Sequence, residues 1–247
     1  MPATQSLSAR LALWIAIASI GLILLGTLGA RLGLLAPIQG FLLFAVGLLP
    51  GTLLTLVVGL VGLFRTRTST GLGGRPSALR ATLVGCALLL VALVLFGSSA
   101  GVPAIHDITT DPDDPPRFIA AATHPDNAGR DLTYPHGSGD VTAMQRDAYP
   151  DLAPIRLPAP PAAAFAAAVE TARELGWEVT AEDAPNGRIE ATDTSAIFTF
   201  VDDIVIRIRA AGAGSVIDLR STSRVGESDL GANAERIRAF RDAILDG

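Results

Sequence analysis

The sequence predicts an α+β protein in two parts: an N-terminal three-helix transmembrane bundle, then a two-layer domain in which two helices cover an antiparallel sheet of about five strands. Three observations carry that expectation. Acidic residues are absent from the first 106 positions, which long apolar runs fill instead. Apolar and polar residues alternate, as in strands, between Trp177 and Arg224. Two segments with apolar residues at helical spacing bracket that region.

Residues 1–106 hold six arginines and no carboxylate, whereas the remainder holds thirteen arginines against all 24 acids, giving formal charges of +6 and −11 within a total of −5. Lysine is absent from the chain. A carboxylate in hydrocarbon costs several kcal/mol, so an acid-free stretch with runs near the roughly 20 apolar residues needed to cross reads as membrane-embedded. Spans are expected over about 11–30, 38–64 and 81–97, within a transmembrane region 1–102. The second span is long enough to tilt, and Pro50 is placed to kink it. The first exceeds the ~7 to 15 residues of a signal-peptide core and no clean A-x-A site follows it, so it reads as an anchor.

Arginine bias sets an expected orientation. The loop 64–80 carries four arginines and no acid, while the loop after the first span carries Arg31 alone. The positive-inside rule places the first of these loops and the N-terminus in the cytoplasm. The chain is then a multi-pass protein of the cytoplasmic (inner) membrane with its C-terminal domain outside, in the periplasm of a Gram-negative cell. Cys86 falls within the third span, so the outer part has no disulfide to form.

The spans offer no ionisable group at mid-depth, which argues against a transporter or a proton pump. Gly47, Gly51, Thr55 and Gly59 recur every fourth residue and line one helical face. Small residues let helices approach closely, and the simple use of this face is packing within the bundle; a homo-oligomer seam is the alternative. GLGGRPS in the arginine loop lacks the strand and helix of a phosphate-binding loop.

Residues 103–160 read as a proline-rich extended arm, and 161–247 as sheet plus two helices forming one soluble domain with it. PPAAAFAAAVETARELG predicts a helix with Phe165, Ala168, Val169, Ala172 and Leu175 on one face and Gly176 as its stop. WEVTAEDA and RIEATDT predict strands around a three-residue hairpin loop, Pro185-Asn186-Gly187. A short strand IFTFV leads into IVIRIRA, and Gly212 to Gly214 turn the chain into SVIDLRSTSR. Pairing Ala210 with Ser215 sets Ile208 opposite Ile217, Ile206 opposite Leu219 and Arg207 opposite Asp218; a one-residue slip would bury Arg207 and Arg209 unpaired. SDLGANAERIRAFRDAILDG predicts a last helix, capped by Ser228 or Asp229, with Leu230, Ile237, Phe240 and Ile244 on its apolar face.

The segments IHDITTDPDDPPRF, QRDAYPDLAPI, GRIEATDTSAIFTFVDDIVIRI and IDLRSTSRVGESDLGANAERIRAF, taken in that order, resemble a bacterial and plastid family known as domain of unknown function 1499. The resemblance covers roughly Ile105 to the C-terminus and leaves out the three spans. It implies that HDITTDPDDPPRF belongs to the domain itself. It brings no activity, ligand or catalytic residue with it.

Candidate sites are weighed against plainer readings. Asp111, Asp113 and Asp114, with His106 and Asp107 nearby, could offer oxygen ligands to calcium, but Pro112, Pro115 and Pro116 stand where a calcium loop needs freedom, and aspartates before prolines are ordinary turn formers. His106, His124 and His136 could bind zinc, yet their spacing matches no zinc motif. Arg188, Arg207, Arg209, Arg220 and Arg224 fall opposite the isoleucines, interleaved with Glu190 and Asp218, as a solvated face with cross-strand ion pairs. A sharper expectation is an anion site at Arg220, Arg224 and Arg188, close to the loop RVGESDLG and the helix start after it. No catalytic residue and no cofactor is assigned, and a domain of charge −11 argues against nucleic acid. The expected function is a membrane-anchored binding or assembly module of the bacterial envelope, with the bilayer and an envelope protein or lipid as partners. The alternative is a metal-assisted hydrolase using His and Asp residues between His106 and Asp140.

Overall fold

The computed structural model describes residues 4–97, 101–135 and 139–247. They form two compact units, one built on the N-terminal helices and one on the sheet.

The first unit contains α1 (Leu7–Arg31), α2 (Pro37–Leu48), α3 (Pro50–Arg65) and α4 (Arg75–Phe96). Three stretches, Leu7–Arg31, Pro37–Arg65 and Arg75–Phe96, are long and apolar enough to cross a membrane. The second comprises α2 and α3 in series. The expected kink is a break at Leu49, because Pro50 has no N–H to continue the helix and sits at the first position of α3. Small residues fill the interior, among them Ala12, Ala16, Ser19 and Gly26, while Trp14, Leu24, Leu53 and Leu83 are exposed. This is the sorting a bilayer favours, since lipid tails solvate large apolar side chains and close packing holds the helices together. The face of Gly47, Gly51, Thr55 and Gly59 is taken up within the chain. A Cβ on Gly47 would lie 2.6 Å from Ser19 O, and one on Gly59 would lie 2.7 Å from Thr82 Oγ1.

The second unit contains β1 (Asp107–Thr109), α5 (Ala120–Thr123), α6 (Val141–Ala148), β2 (Ile155–Leu157), α7 (Pro161–Glu174), β3 (Glu178–Asp183), β4 (Arg188–Thr194), β5 (Val201–Ala211), β6 (Gly214–Ser223) and α8 (Ala232–Asp246). The sheet is antiparallel with order β1-β6-β5-β4-β3, and β2 also pairs with β6. It has six strands where about five are expected. IFTFV forms a turn and β5 starts at Val201, while the arm supplies β1 and β2. Both lie along the outer edge of the ten-residue β6, whose N–H and C=O groups would otherwise lack partners.

Local chemistry accounts for the helices and hairpins. Pro161 opens α7, and Gly176 at φ +81° ends its last turn. Gly187 takes the left-handed conformation that closes the β3–β4 hairpin, and a Cβ there would meet Ile208 O at 2.2 Å. The β5–β6 register is the expected one, with Ala210 opposite Ser215 and Arg207 opposite Asp218. It places Ile189, Ile204, Ile206, Ile217 and Leu219 on one face, in a core with Ala168 and Ala172 of α7 and Ile237 and Phe240 of α8. Leu230 departs from expectation. It lies before α8 at φ +56° and is exposed, because the helix starts at Ala232 with Asp229 accepting from the Gly231 and Asn233 N–H groups.

Candidate functional site

The opposite face of the sheet carries Arg188, Glu190, Asp203, Arg207, Asp218 and Arg220, as the alternation of β4, β5 and β6 requires. The expected solvated face is instead buried over much of its extent: Glu190, Asp203, Asp218 and Arg220 are each no more than 2% exposed. The arm covers it. Phe118 and Ala121 pack on Val205, with Leu132 beside them, and form a small apolar cluster amid the charges.

Four sets of polar contacts fasten the arm. Asp111 and Asp114 meet the guanidinium groups of Arg207 and Arg209, which also converge on Asp218 Oδ2 at 2.7–3.2 Å. Glu190 accepts the backbone N–H groups of Ile119, Ala120 and Ala121 at 2.8–2.9 Å, at the start of α5 where such groups have no partner of their own. Asp203 accepts from Asn127 Nδ2, Arg130 and Arg224, and Arg130 also donates to Asn127 Oδ1 and to Ser223 O. Arg220 donates to both oxygens of Asp107 at 2.8 and 2.7 Å and to Leu132 O at 2.9 Å, with the Phe118 and Tyr134 rings against its guanidinium. Each buried charge therefore has an opposite charge or several donors within reach, the condition under which burial is tolerated.

Gln145 of α6 adds an uncharged clasp. Its amide accepts from Thr109 N and donates to Thr109 O, occupying the edge of β1 much as another strand would. On the other side of the domain Asn233 joins α8 to the sheet by donating to His106 O and Ser223 Oγ and accepting from Ser221 Oγ. Arg236 donates to Asp193, Asp202 and Asn233.

Clefts open where the arm leaves the face uncovered; beside smaller ones of about 210 and 180 Å³ that Arg188 lines, two are larger. One, of about 600 Å³, is lined by Asp114, Arg117, Arg130, Leu132, Tyr134 and Arg220. The other, of about 510 Å³, is lined by Thr123, His124, Asp126, Glu178, Asp203 and Arg224. In the first, Arg117 is exposed and has no ion-pair partner among the described residues, and Arg220 Nη1 makes a long 3.4 Å contact to Pro116 O. The Tyr134 hydroxyl, whose pKa burial raises, is a donor at neutral pH and makes a long 3.4 Å contact to Gln145 Oε1. In the second, the hydrogen bond that Arg224 donates to Asp203 raises the Arg224 pKa further and keeps that side chain cationic.

The sequence-predicted site residues are distributed as follows. Arg220 lies in the floor of the first cleft, Arg224 in the wall of the second, and Arg188 beside neither, bonded to Asp183 at 2.5 Å with Glu190 at 3.6 Å. They do not converge on one point at the loop before α8. Asp111 closes a turn by accepting from Asp114 N, and Asp113 pairs with Arg146 at 2.6 Å. His106 is buried with its carbonyl accepting from Ser223 N and Asn233 Nδ2. His124 stands in the second cleft with Asp126, and His136 lies outside the described residues. Among the described residues no three His, Cys, Asp or Glu side chains are arranged to hold a metal ion.

Sequence reading alone does not find Asp107, Glu190 and Asp203 as the anchors of the arm, nor Arg130 as a cationic partner of Asp203. The signal is clearest at Asp203, whose neighbours two residues away in β5 are Val201 and Val205.

A family model described as "Protein of unknown function (DUF1499)" matches residues 107–244, from the partner of Arg220 to the last buried residue of α8. No curated protein matches the chain.

Proposed function

The chain belongs to the DUF1499 family of proteins of unknown function, and from that premise we propose that it is a membrane-anchored extracytoplasmic binding module of the bacterial envelope, with the arginine cleft beside the arm as its ligand site. The observation that carries this reading is the cleft of about 600 Å³ in which Arg117, Arg130 and Arg220 meet the Tyr134 phenol. Guanidinium and phenol donors around an apolar patch of Phe118 and Leu132 suit an anionic group carried on an apolar body. A lipid headgroup or an acidic side chain of another envelope protein has that chemistry. The arginine bias of loop 64–80 supports an N-terminus in the cytoplasm and the domain outside it, which is the periplasm if the cell is Gram-negative.

Photocrosslinking in intact cells tests the proposal. A photoreactive residue at position 117 or 133 should capture a partner that one at Glu170, on exposed helix surface, does not. A C-terminal alkaline phosphatase fusion should be active. Equal crosslinking from all three positions would remove the cleft as the ligand site, and an inactive phosphatase fusion beside an active cytosolic reporter would reverse the orientation.

A further inference from the structure

We propose that the helical unit holds a phospholipid phosphate in a cleft at its arginine-rich end. The cleft has a volume of about 260 Å³ and lies between the start of α1 and the α3–α4 loop, with Gln5, Leu7, Phe64, Arg65, Arg67 and Leu72 in its walls. Backbone bonds fix these walls together. Ser6 N donates to Gly73 O and Gly73 N donates to Thr4 O, each at 3.0 Å.

Two features select an anion. The carbonyl oxygens of Arg65 and Arg67 are both engaged by Thr70 Oγ1 at 2.8 Å, which leaves the two guanidinium groups as the dominant charge. Neither has an ion-pair partner among the described residues, and no carboxylate occurs before Asp107 in the sequence. Arg67 is also held in place, its Cζ 3.7 Å from the centre of the Phe64 ring. The uncapped first turn of α1 adds to the positive potential, since no side chain bonds its N–H groups and no acid stands near them.

A third feature selects a lipid over free phosphate. Leu7 and Phe64 are largely exposed and Leu72 partly so, and together they give the same cleft an apolar rim. A phosphate diester with acyl chains would satisfy both the guanidinium groups and this rim. Inorganic phosphate would satisfy only the first. The site lies where three helix ends meet, at the depth at which a headgroup sits when Leu7–Arg31, Pro37–Arg65 and Arg75–Phe96 span a bilayer.

Native mass spectrometry of the full-length protein tests this, with dioleoylphosphatidylglycerol and dioleoylphosphatidylcholine as probes. The wild type should retain phosphatidylglycerol in preference to phosphatidylcholine. The R65Q/R67Q variant should lose about thirtyfold in phosphatidylglycerol affinity, the amount expected for two arginines near an anionic headgroup. The charge-matched R10Q/R80Q variant, altered outside the cleft, should keep it. Equal loss in both variants, or no preference in the wild type, would overturn the site. Displacement of the lipid by an excess of inorganic phosphate would overturn the lipid assignment. If R65Q/R67Q does not fold, R67Q alone and the phosphate competition on wild type carry the same decision.

Discussion

Arg220 is the largest side chain to be fully buried, and its position rests on Asp107. A guanidinium taken out of water loses several kcal/mol of hydration, which one bidentate carboxylate and the Leu132 carbonyl must offset. The pair therefore adds little to net stability. Breaking one side leaves the other buried and uncompensated. D107N should lower unfolding free energy by about 3–5 kcal/mol in urea titrations. D107L/R220M, which removes both charges, should recover a large part of that loss. A D107N effect below about 1 kcal/mol would mean that the guanidinium is hydrated and the pair is a surface contact.

At the scale of elements, the strands and the two long helices were legible because their periods are local. Ile204, Ile206 and Ile208 alternate with Asp203, Val205 and Arg207, and the Gly212–Gly214 turn leaves one register that pairs Arg207 with Asp218. The arm was not legible, since proline punctuation hides any period and its anchors lie far off in sequence: Asp107 and Arg220 are 113 residues apart, Ile119 and Glu190 71. The same face reads as solvated because alternation reveals which residues share a face and says nothing of what covers it. Another contact of this kind ties the arm to α8. Asp151 receives Arg238 at 2.6 and 2.7 Å and Arg241 at 3.4 Å, and the hydrogen bonds from Arg238 hold its carboxyl at about 2, below the usual 3.8. The unfolded chain takes up this proton at higher pH than the folded one, so the stabilisation is present above about pH 4 and disappears as pH falls towards 2. Asp151 is partly exposed, so the effect is screened. Thermal unfolding of D151N should show a lower midpoint than wild type at pH 6, with the difference closing by pH 2. A difference that persists unchanged into acid would mean that Asp151 acts through packing.

At the scale of the whole molecule, acids and large apolar side chains are sorted between two units that bury their interiors by different means. The helical unit packs small residues inside and leaves leucines outward. The sheet unit closes an apolar core on one side of its sheet and an ion-paired layer on the other, and that core draws on residues 105–244 alone. We infer that such a unit folds by itself when the arm is present. Residues 161–247 by themselves keep α7, α8 and four strands, and keep Arg224 on Asp203, but lose β1, β2, the Asp107 partner of Arg220, the Asn127 and Arg130 contacts to Asp203 and the N–H groups that Glu190 accepts, leaving the charged layer half-made. We therefore expect residues 101–247 to unfold cooperatively and residues 161–247 to fold incompletely. Trp177 reports on this directly, because it is the sole tryptophan of residues 101–247 and stacks on Phe240 with centroids 5.5 Å apart in the core. Its emission should be blue-shifted, with a single sharp thermal transition, in the longer segment and red-shifted in the shorter. A native-like transition in residues 161–247 would show that the arm is an appendage resting on a finished domain, and the cleft beside it would then be a product of docking instead of a feature of the fold.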